Sequence, residues 1–145
     1  MWRKFNNKRI LALGMAQRVT IIRIRNNPDH NINEELQWLG NSLGLFNQRD
    51  KDSSCFRIFI TLVKKSRNNE ALSSDDIAEK LSLSRGTVVH HLNKLHEAGI
   101  VTKEQKGYLL REATLERVIS DIHQDMENVF SELKKIAKEI DEKLG

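Results

Sequence analysis

Polar, cationic and small apolar side chains at residues 84–94 give this sequence its clearest chemistry. In SRGTVVHHLNKLHEAG, Val88, Leu92 and Leu95 have the spacing of a buried helical stripe. The helix has a different set of side chains that the stripe does not use: Ser84, Arg85, Thr87, Val89, His90, Asn93 and Lys94. Such a mixture suits the base edges and phosphates of a DNA major groove, whereas an ordinary solvated helix face is the alternative.

The individual side chains suggest separate roles on DNA. Ser84 and Thr87, near the helix start, can reach phosphates or bases, and Arg85 can bind guanine or phosphate. Asn93 can pair with base or backbone groups, and Val89 can touch a thymine methyl group.

A short helix must lie just before this stretch to hold it in place. LSSDDIAEKL offers Ser73 or Ser74 as an N-cap and carries an apolar patch of only two turns around Ile77. After the connection SLS, Ser84 can cap the next helix, and Gly99 can end it in the left-handed conformation. Two helices joined in this way predict a helix-turn-helix.

A β-hairpin is predicted directly after the second helix. Residues 100–105 alternate apolar and polar side chains, Lys106-Gly107 predicts the turn, and residues 108–110 return as a strand. A hairpin in this place is a wing. Lys103 and Lys106 at its tip can rest on a phosphate backbone or enter a minor groove, although lysines at hairpin tips also serve solubility alone.

Catalysis, disulfides and metal binding find little support in the sequence. Adjacent helical residues such as His90 and His91 point about 100° apart and cannot chelate one ion together, and His96 is expected at the surface. Cys55 is the only cysteine and is expected to be a buried, inert thiol. No Gly-rich phosphate loop, GxSxG or HExxH occurs, so we expect neither an enzyme, a cofactor nor a metal site.

Two helices are predicted upstream. In the first, Ile32, Leu36, Leu39 and Leu43 form one stripe that Asn31 or Asn33 can cap, while Trp38 lies off the stripe. In the second, DKDSSCFRIFITLVKKS, Asp52 or Ser53 can act as the cap, and the residues expected to face inward are Phe56, Phe59, Ile60 and Val63.

The last thirty residues predict one long helix with a heptad seam. Thr114 can cap it. The seam steps alternately by four and three residues through Leu115, Ile119, Ile122, Met126, Val129, Leu133, Ile136 and Ile140. Its length favours a homodimer contact made together with the first helix, including Leu36 and Leu39, and packing on the chain's own domain is the alternative. Additional apolar residues, Val118, Phe130 and Ala137, favour a bundle of helices from both subunits.

The charge is unevenly distributed. Residues 1–28 contain seven Lys or Arg and no acid, while the rest of the chain has a net charge of −3. We considered three interpretations of this segment: a signal peptide, an arm that binds nucleic acid or an acidic partner, and an extension. In the third interpretation, VTIIRIR pairs as a strand with Ile22 and Ile24 inward and Arg23 and Arg25 outward.

The chain as a whole has the size of one ordinary domain. It has 145 residues, of which 39% are hydrophobic, and no apolar run approaches the ~18 residues of a membrane span. The predicted organisation is a basic arm or extension (1–28), a winged helix-turn-helix domain (29–112) and a C-terminal dimerisation helix (113–145). The predicted fold class is mainly α, and we expect a cytoplasmic protein that does not bind membranes.

The segment LSSDDIAEKLSLSRGTVVHHLNKLHEAGIVTKEQKGYLL resembles the winged helix-turn-helix of ArsR-like transcription regulators, especially archaeal members. The resemblance extends from about Ile32 to Leu144 and does not cover residues 1–28. It implies a homodimer that docks one recognition helix per subunit into successive major grooves and represses transcription until a signal intervenes. Carried over by position, the DNA contacts would be Ser84, Arg85, Thr87, Val89, His90 and Asn93.

The chain departs from this family at the metal sites. Metal-sensing members use a cysteine pair near the recognition helix, or acid and His ligands on the last helix, and this helix-turn-helix contains no cysteine. Asp121 and His123 echo half of the second kind of site, but Lys134 stands where the other ligands would be expected. The effector is therefore something other than a metal, or absent.

Two functions remain open at this point. The favoured one is a sequence-specific regulator that binds double-stranded DNA as a homodimer. The alternative is a winged-helix module that binds proteins and reads no DNA sequence, which the acidic body supports.

Overall fold

The computed structural model of the chain describes residues 16–46 and 53–145. The first fifteen residues, with four of the basic side chains, and the candidate cap Asp52 lie outside these ranges. In the described ranges the elements follow in the order α1 (Ile32–Ser42), α2 (Ser54–Ser66), α3 (Ser74–Leu81), α4 (Arg85–Glu97), β1 (Val101–Glu104), β2 (Gly107–Leu110) and α5 (Leu115–Leu144). This order confirms the predicted winged helix-turn-helix. None of the described helices is both long and apolar enough to cross a membrane.

Most of the helices begin where the sequence places a capping side chain. Asn31, Ser73, Ser84 and Thr114 each accept a hydrogen bond from a backbone amide of the first turn. Ser73 and Asp76 form a reciprocal capping box at the start of α3. Ser53 occupies the N-cap position of α2 but makes no capping hydrogen bond, because its backbone is left-handed, with φ 51°.

The core lies between α2 and the winged helix-turn-helix. Helix α2 packs against α4 and β2, and α4 packs against α3 and β1. Phe59, Ile77 and the α4 stripe of Val88, Leu92 and Leu95 are completely buried there. The predicted inward face of α4 is therefore confirmed. Cys55 is also buried, as expected.

The predicted inward face of α2 is only partly right. Phe59 is buried, but the other fully buried apolar side chains of this helix are Ile58 and Leu62. Ile60 and Val63 line a groove toward α1 instead. The apolar arc of α2 extends around more than half of the helix, so periodicity alone could not tell its buried centre from its edge.

The wing is a two-stranded antiparallel hairpin. Val101 pairs with Leu110, and Glu104 pairs with Gly107. The turn therefore lies at residues 105–106, one residue earlier than predicted, and Gly107 opens β2 with φ 140°. Leu72 adds an isolated bridge to Tyr108, which ties the wing to the start of the helix-turn-helix.

The long helix α5 has two different halves. In its first half, Val118 and Ile122 are buried in the core, and Ile119 and Met126 pack partly against it. From Val129 onward the apolar side chains are about half exposed or more. The first half of the predicted seam thus lies on the chain's own domain.

Residues 16–28 run across the body as an extended segment without regular secondary structure, and we call them the strap. The strand interpretation is only partly right: Ile24 is half-buried and Arg23 and Arg25 are exposed, but Ile22 is 48% exposed and residues 16–28 form no strand. The strap contacts several elements in turn rather than pairing along one strand. A single backbone hydrogen bond, from the Ile22 amide to the Ser42 carbonyl, joins it to the end of α1.

Candidate nucleic-acid interface

The helix-turn-helix consists of α3, a tight connection and α4. Ser82 ends α3 in the left-handed conformation, with φ 55°, and the Leu83 amide donates to the Ala78 carbonyl at 2.9 Å. The chain therefore reverses within three residues, and Ser84 starts α4. With its stripe buried, α4 presents an outer row of exposed residues, Gly86, His90, Asn93 and Glu97, and Arg85 is exposed at its start.

The start of α4 has the features of a helix N-terminus that can bind an anion. The Ser84 hydroxyl oxygen accepts from the Thr87 amide at 3.2 Å and donates to the Thr87 hydroxyl oxygen at 2.8 Å. No acidic residue lies in the first turn of α4, whereas α3 has Asp75 and Asp76 there. The positive end of the α4 dipole is therefore not compensated from within its own first turn, which favours a bound phosphate.

Arg85 is the cation at this helix start. Its Nε lies 3.3 Å from Asp75 Oδ1, and both side chains are about three-quarters exposed, at 73% and 72%. An exposed pair of this kind contributes only about 0–1 kcal/mol to stability. Arg85 can therefore leave Asp75 for a phosphate or a guanine at little cost.

The remaining predicted α4 residues differ in their surroundings. His90 and Asn93 are exposed, and Val89 is half-buried beside them. The His90 ring lies edge-on to the His91 ring, with centroids 5.4 Å apart. Lys94 is turned away from this row, because its ammonium group donates to the Leu45 carbonyl at 3.1 Å.

The two wing lysines also differ from each other. Lys103 Nζ lies 5.7 Å from the centre of the Tyr108 ring, so its stem is held against the hairpin. Lys106 is exposed in the turn. The wing thus carries one positioned cation and one at its tip.

His96 lies at the end of α4 against the wing and is half-buried rather than on the surface as expected. Burial lowers the pKa of its imidazole, the positive charge of Lys103 lowers it further, and Glu97 opposes both. Its Nε2 atom is buried without a hydrogen-bond partner among the described residues. The neutral imidazole is therefore the favoured form in the folded chain.

Gly86 is a site feature that the sequence reasoning missed. A Cβ atom built on Gly86 would meet nothing within 4 Å, so no neighbour in the described fold requires a glycine there. Glycine is a poor helix former, which makes its presence on the exposed row a cost to the fold. The sequence signal that could have identified this residue is a glycine in the first turn of a predicted recognition helix.

Arg111 is a second missed residue, and it fixes the wing to α5. Its side chain is 4% exposed, with Nη1 2.5 Å and Nη2 3.1 Å from the two carboxylate oxygens of Asp125. Arg111 Nε also lies 3.5 Å from Asp121 Oδ2, and the Arg111 amide donates to the Ile100 carbonyl. The base of the wing is therefore joined to α5 by a largely buried ion-pair network.

Asp121 and His123, which echo half of a metal site in the sequence, have other partners in the structure. Asp121 pairs with Arg111, while His123 Nε2 faces Glu127 Oε1 at 3.4 Å. Across the described part of the chain, no group of three or more His, Cys, Asp or Glu side chains could hold a metal ion.

The predicted dimerisation residues are divided between two exposed surfaces and the chain's own core. Leu36, Leu39 and Leu115 come together in a groove of about 400 Å³, which Ile60 and Val63 complete. The second half of α5 forms an exposed apolar row, with Val129, Leu133, Ile136 and Ile140 each between 51% and 57% exposed. Ile122 belongs to neither surface, since it is 3% exposed in its own core.

Comparisons with known proteins agree with this geometry. A family model described as a bacterial regulatory protein of the arsR family matches residues 65–103, about a quarter of the chain, from the end of α2 to β1. The curated proteins contain no match, and the solved structures contain none either. The matched residues include the whole of α3 and α4. Residues 65–103 are therefore similar to an ArsR-family helix-turn-helix, which supports a DNA-binding transcription regulator.

Proposed function

We propose that this protein is a homodimeric regulator that recognises a specific double-stranded DNA sequence through α4. The observation that carries the proposal is the division of α4 into two faces. Val88, Leu92 and Leu95 are completely buried, whereas His90 and Asn93 on the opposite side, and Arg85 at the helix start, are exposed. These polar groups make no contact that the core requires. They are of the kinds that hydrogen-bond to base edges in a major groove.

Residues in the first half of α4 read bases and bind the nearest phosphates. Arg85 forms a bidentate contact to guanine or binds a phosphate at the helix N-terminus, with Ser84 and Thr87 beside it. Val89 contacts a thymine methyl group, and His90 and Asn93 reach base edges or the backbone further along the groove. Lys94 serves the backbone at the rim once it releases the Leu45 carbonyl.

The wing supports this docking from the side. Lys103 and Lys106 contact the phosphate backbone, and Lys103 is oriented by the Tyr108 ring. Because Arg111 ties the wing to α5 through Asp125, the position of the wing follows the position of the long helix. A second subunit bound to α5 thereby fixes the relative positions of the two DNA-reading units, each of which consists of the helix-turn-helix and wing of one subunit and is called a reading head below.

The exposed row on α5 supports a homodimer. Val129, Leu133, Ile136 and Ile140 continue the heptad spacing along about three turns and are about half exposed in the described part of the chain. The groove at Leu36, Leu39 and Leu115 lies at the other end of the same seam. Exposed apolar surface of this extent is typical of an interaction site.

Selection from a random duplex library at near-physiological salt tests the DNA part of the proposal. A two-fold symmetric motif, with half-sites about one helical turn or roughly 34–36 Å apart, is the expected result. Recovery of no motif would contradict sequence-specific recognition and would favour a winged helix that binds a protein partner.

Sedimentation of a variant with Val129→Glu and Ile136→Glu tests the dimer. Both side chains are about half exposed, so the variant keeps the fold and is expected to be a monomer. Asn128→Glu with Ser131→Glu is the matched control, since it adds the same two negative charges at exposed positions of α5 away from the seam and should leave the dimer intact. A dimeric mass for the Val129→Glu, Ile136→Glu variant would contradict the proposal that this row of α5 forms the dimer contact.

A further inference from the structure

The strap joins positive charge to the far end of the recognition helix. The Arg18 amide donates to the Glu97 carbonyl at 2.8 Å, at the last residue of α4. The Gln17 amide group donates to Asp125 at 3.0 Å and to the Ala98 carbonyl at 3.4 Å. The strap is therefore attached to α4 and to α5 at the same point.

Further contacts hold the rest of the strap on the body. The Ile22 amide donates to the Ser42 carbonyl at 2.7 Å, and the Trp38 indole donates to the Asn26 carbonyl at 2.8 Å. These contacts lead the strap from the end of α4 past the end of α1. The loop at Leu45, to which Lys94 donates, follows directly after α1.

Two glycines make room for the strap. A Cβ atom on Gly99 would clash with Gln17 Nε2, and one on Gly44 would lie 2.8 Å from Thr20 Cγ2. Both glycines have positive φ angles, +80° and +65°, so they serve the chain reversal and the close approach together. The absence of side chains at Gly44 and Gly99 leaves space for the strap, so the strap packs as a part of the fold.

The strap presents only cations as charged groups. Arg18, Arg23 and Arg25 are all exposed, and none of the three forms an ion pair within residues 16–46 and 53–145. Ile24 lines a pocket beside Trp38, whereas its neighbours Arg23 and Arg25 are exposed.

The length of α4 brings this charge to the edge of the groove. Thirteen helical residues span about 20 Å, whereas the major groove of B-DNA is about 12 Å wide. A recognition helix that enters the groove by its N-terminus therefore ends over a phosphate strand. The exposed Glu97 carboxylate would repel that strand, and Arg18 beside it supplies the opposite charge.

We propose that the strap is a second DNA-binding element, in which Arg18, and to a lesser degree Arg23 and Arg25, bind backbone phosphates beyond the bases read by α4. The proposal rests on the proposed function, since it requires α4 to lie in the major groove. It gives the basic segment a defined role in DNA binding. This segment lies outside residues 65–103, the part of the chain that the family model matches. Its contacts are independent of sequence, because phosphates carry no base identity.

The test compares salt dependence for the full chain and three triple variants. Arg18→Gln with Arg23→Gln and Arg25→Gln should weaken binding to the selected duplex and to a scrambled duplex by the same factor. The slope of log K against log salt should fall by about 0.9 for each phosphate that the variant no longer binds. Among single Arg→Gln variants, the loss of affinity should be largest for Arg18 and smallest for Arg25.

Controls separate the strap from total charge and from packing. Arg117→Gln with Lys135→Gln and Lys138→Gln removes the same charge from the outer face of α5 and should change the slope less. Arg→Lys at the three strap positions should keep the slope, and ethylation of flanking phosphates should weaken binding of the original chain but not of the Gln variant.

The outcomes also distinguish the strap from the reading head. If the strap variant and the α5 variant have the same affinity and slope, the strap proposal is wrong while the proposed function stands. If the original chain binds no duplex, both fall together.

Discussion

Arg85 Nε lies 3.3 Å from Asp75 Oδ1, so the first residue of the recognition helix is ion-paired with the first turn of the helix before it. This pair joins the two helices of the reading head on their exposed side. It also places a carboxylate beside the cation that is proposed to bind DNA. In the proposed complex, Asp75 competes with phosphate and guanine for Arg85.

Asp75→Asn should strengthen DNA binding. The change removes both the competitor for Arg85 and a negative charge near the phosphates, so we expect affinity for the selected duplex to rise several-fold. Stability should fall by less than about 1 kcal/mol, since the pair is exposed and the helix start keeps Asp76. Fluorescence anisotropy and urea unfolding measure the two effects. Glu79→Gln, which neutralises another exposed acid of α3, is the control, and an equal gain there would reject competition by Asp75.

Gly86→Ala should move stability and DNA binding in opposite directions. A methyl group at this position meets no atom of the described fold, so the variant should be more stable by about 0.4–1 kcal/mol. The same methyl group is added to the face proposed to approach DNA closely, so affinity for the duplex should fall. Urea unfolding and titration of the same preparation check both signs. A more stable variant with unchanged affinity would show that DNA does not approach Gly86 closely.

Arg111→Met should destabilise the fold strongly. Arg111, Asp121 and Asp125 are side chains with 4%, 9% and 16% exposure, so removing the cation leaves two largely buried carboxylates without it. Loss of one partner from a buried ion pair costs about 3–5 kcal/mol. Arg117→Met, an exposed position on α5, is the control in urea unfolding. A loss below about 1 kcal/mol at Arg111 would mean that the network does not hold the wing to α5.

Stability should depend on pH through His96. Because burial lowers its pKa in the folded chain, the unfolded chain binds this proton more readily, and the free energy of unfolding rises with pH up to about the ordinary value of 6.5. The effect is therefore a loss of stability as pH falls below 6.5. Urea midpoints between pH 5 and 7.5 should show a smaller decline for His96→Gln than for the original chain or for His90→Gln. Identical profiles for all three would contradict the assignment.

The reading head could be predicted from the sequence because its signals are local. Ser73, Ser84 and Thr114 sit one residue before the helices they cap, and Gly99 follows the end of α4 within two residues. The apolar spacing of α4 then fixes which side faces the core. Each of these features depends on neighbours within about one helical turn.

The strap and the Arg111 network could not be predicted in this way. Gln17 and its partner Asp125 are separated by 108 residues, and Arg111 reaches a helix that begins only after it. Lys94 was assigned to DNA by its place on the helix, yet its contact with Leu45 crosses 49 residues. Long-range contacts of polar side chains leave no periodic pattern, whereas the heptad row of α5 does.

The central claim is that α4 reads a DNA sequence, and a competition titration at near-physiological salt tests it most directly. The selected duplex is titrated against its scrambled counterpart, with the original chain and with Arg85→Ala. The account predicts binding to the selected duplex at least ~10³ times tighter than to scrambled DNA. It also predicts that Arg85→Ala loses about 1–3 kcal/mol of that binding. Equal affinity for both duplexes, unchanged by Arg85→Ala, would contradict it.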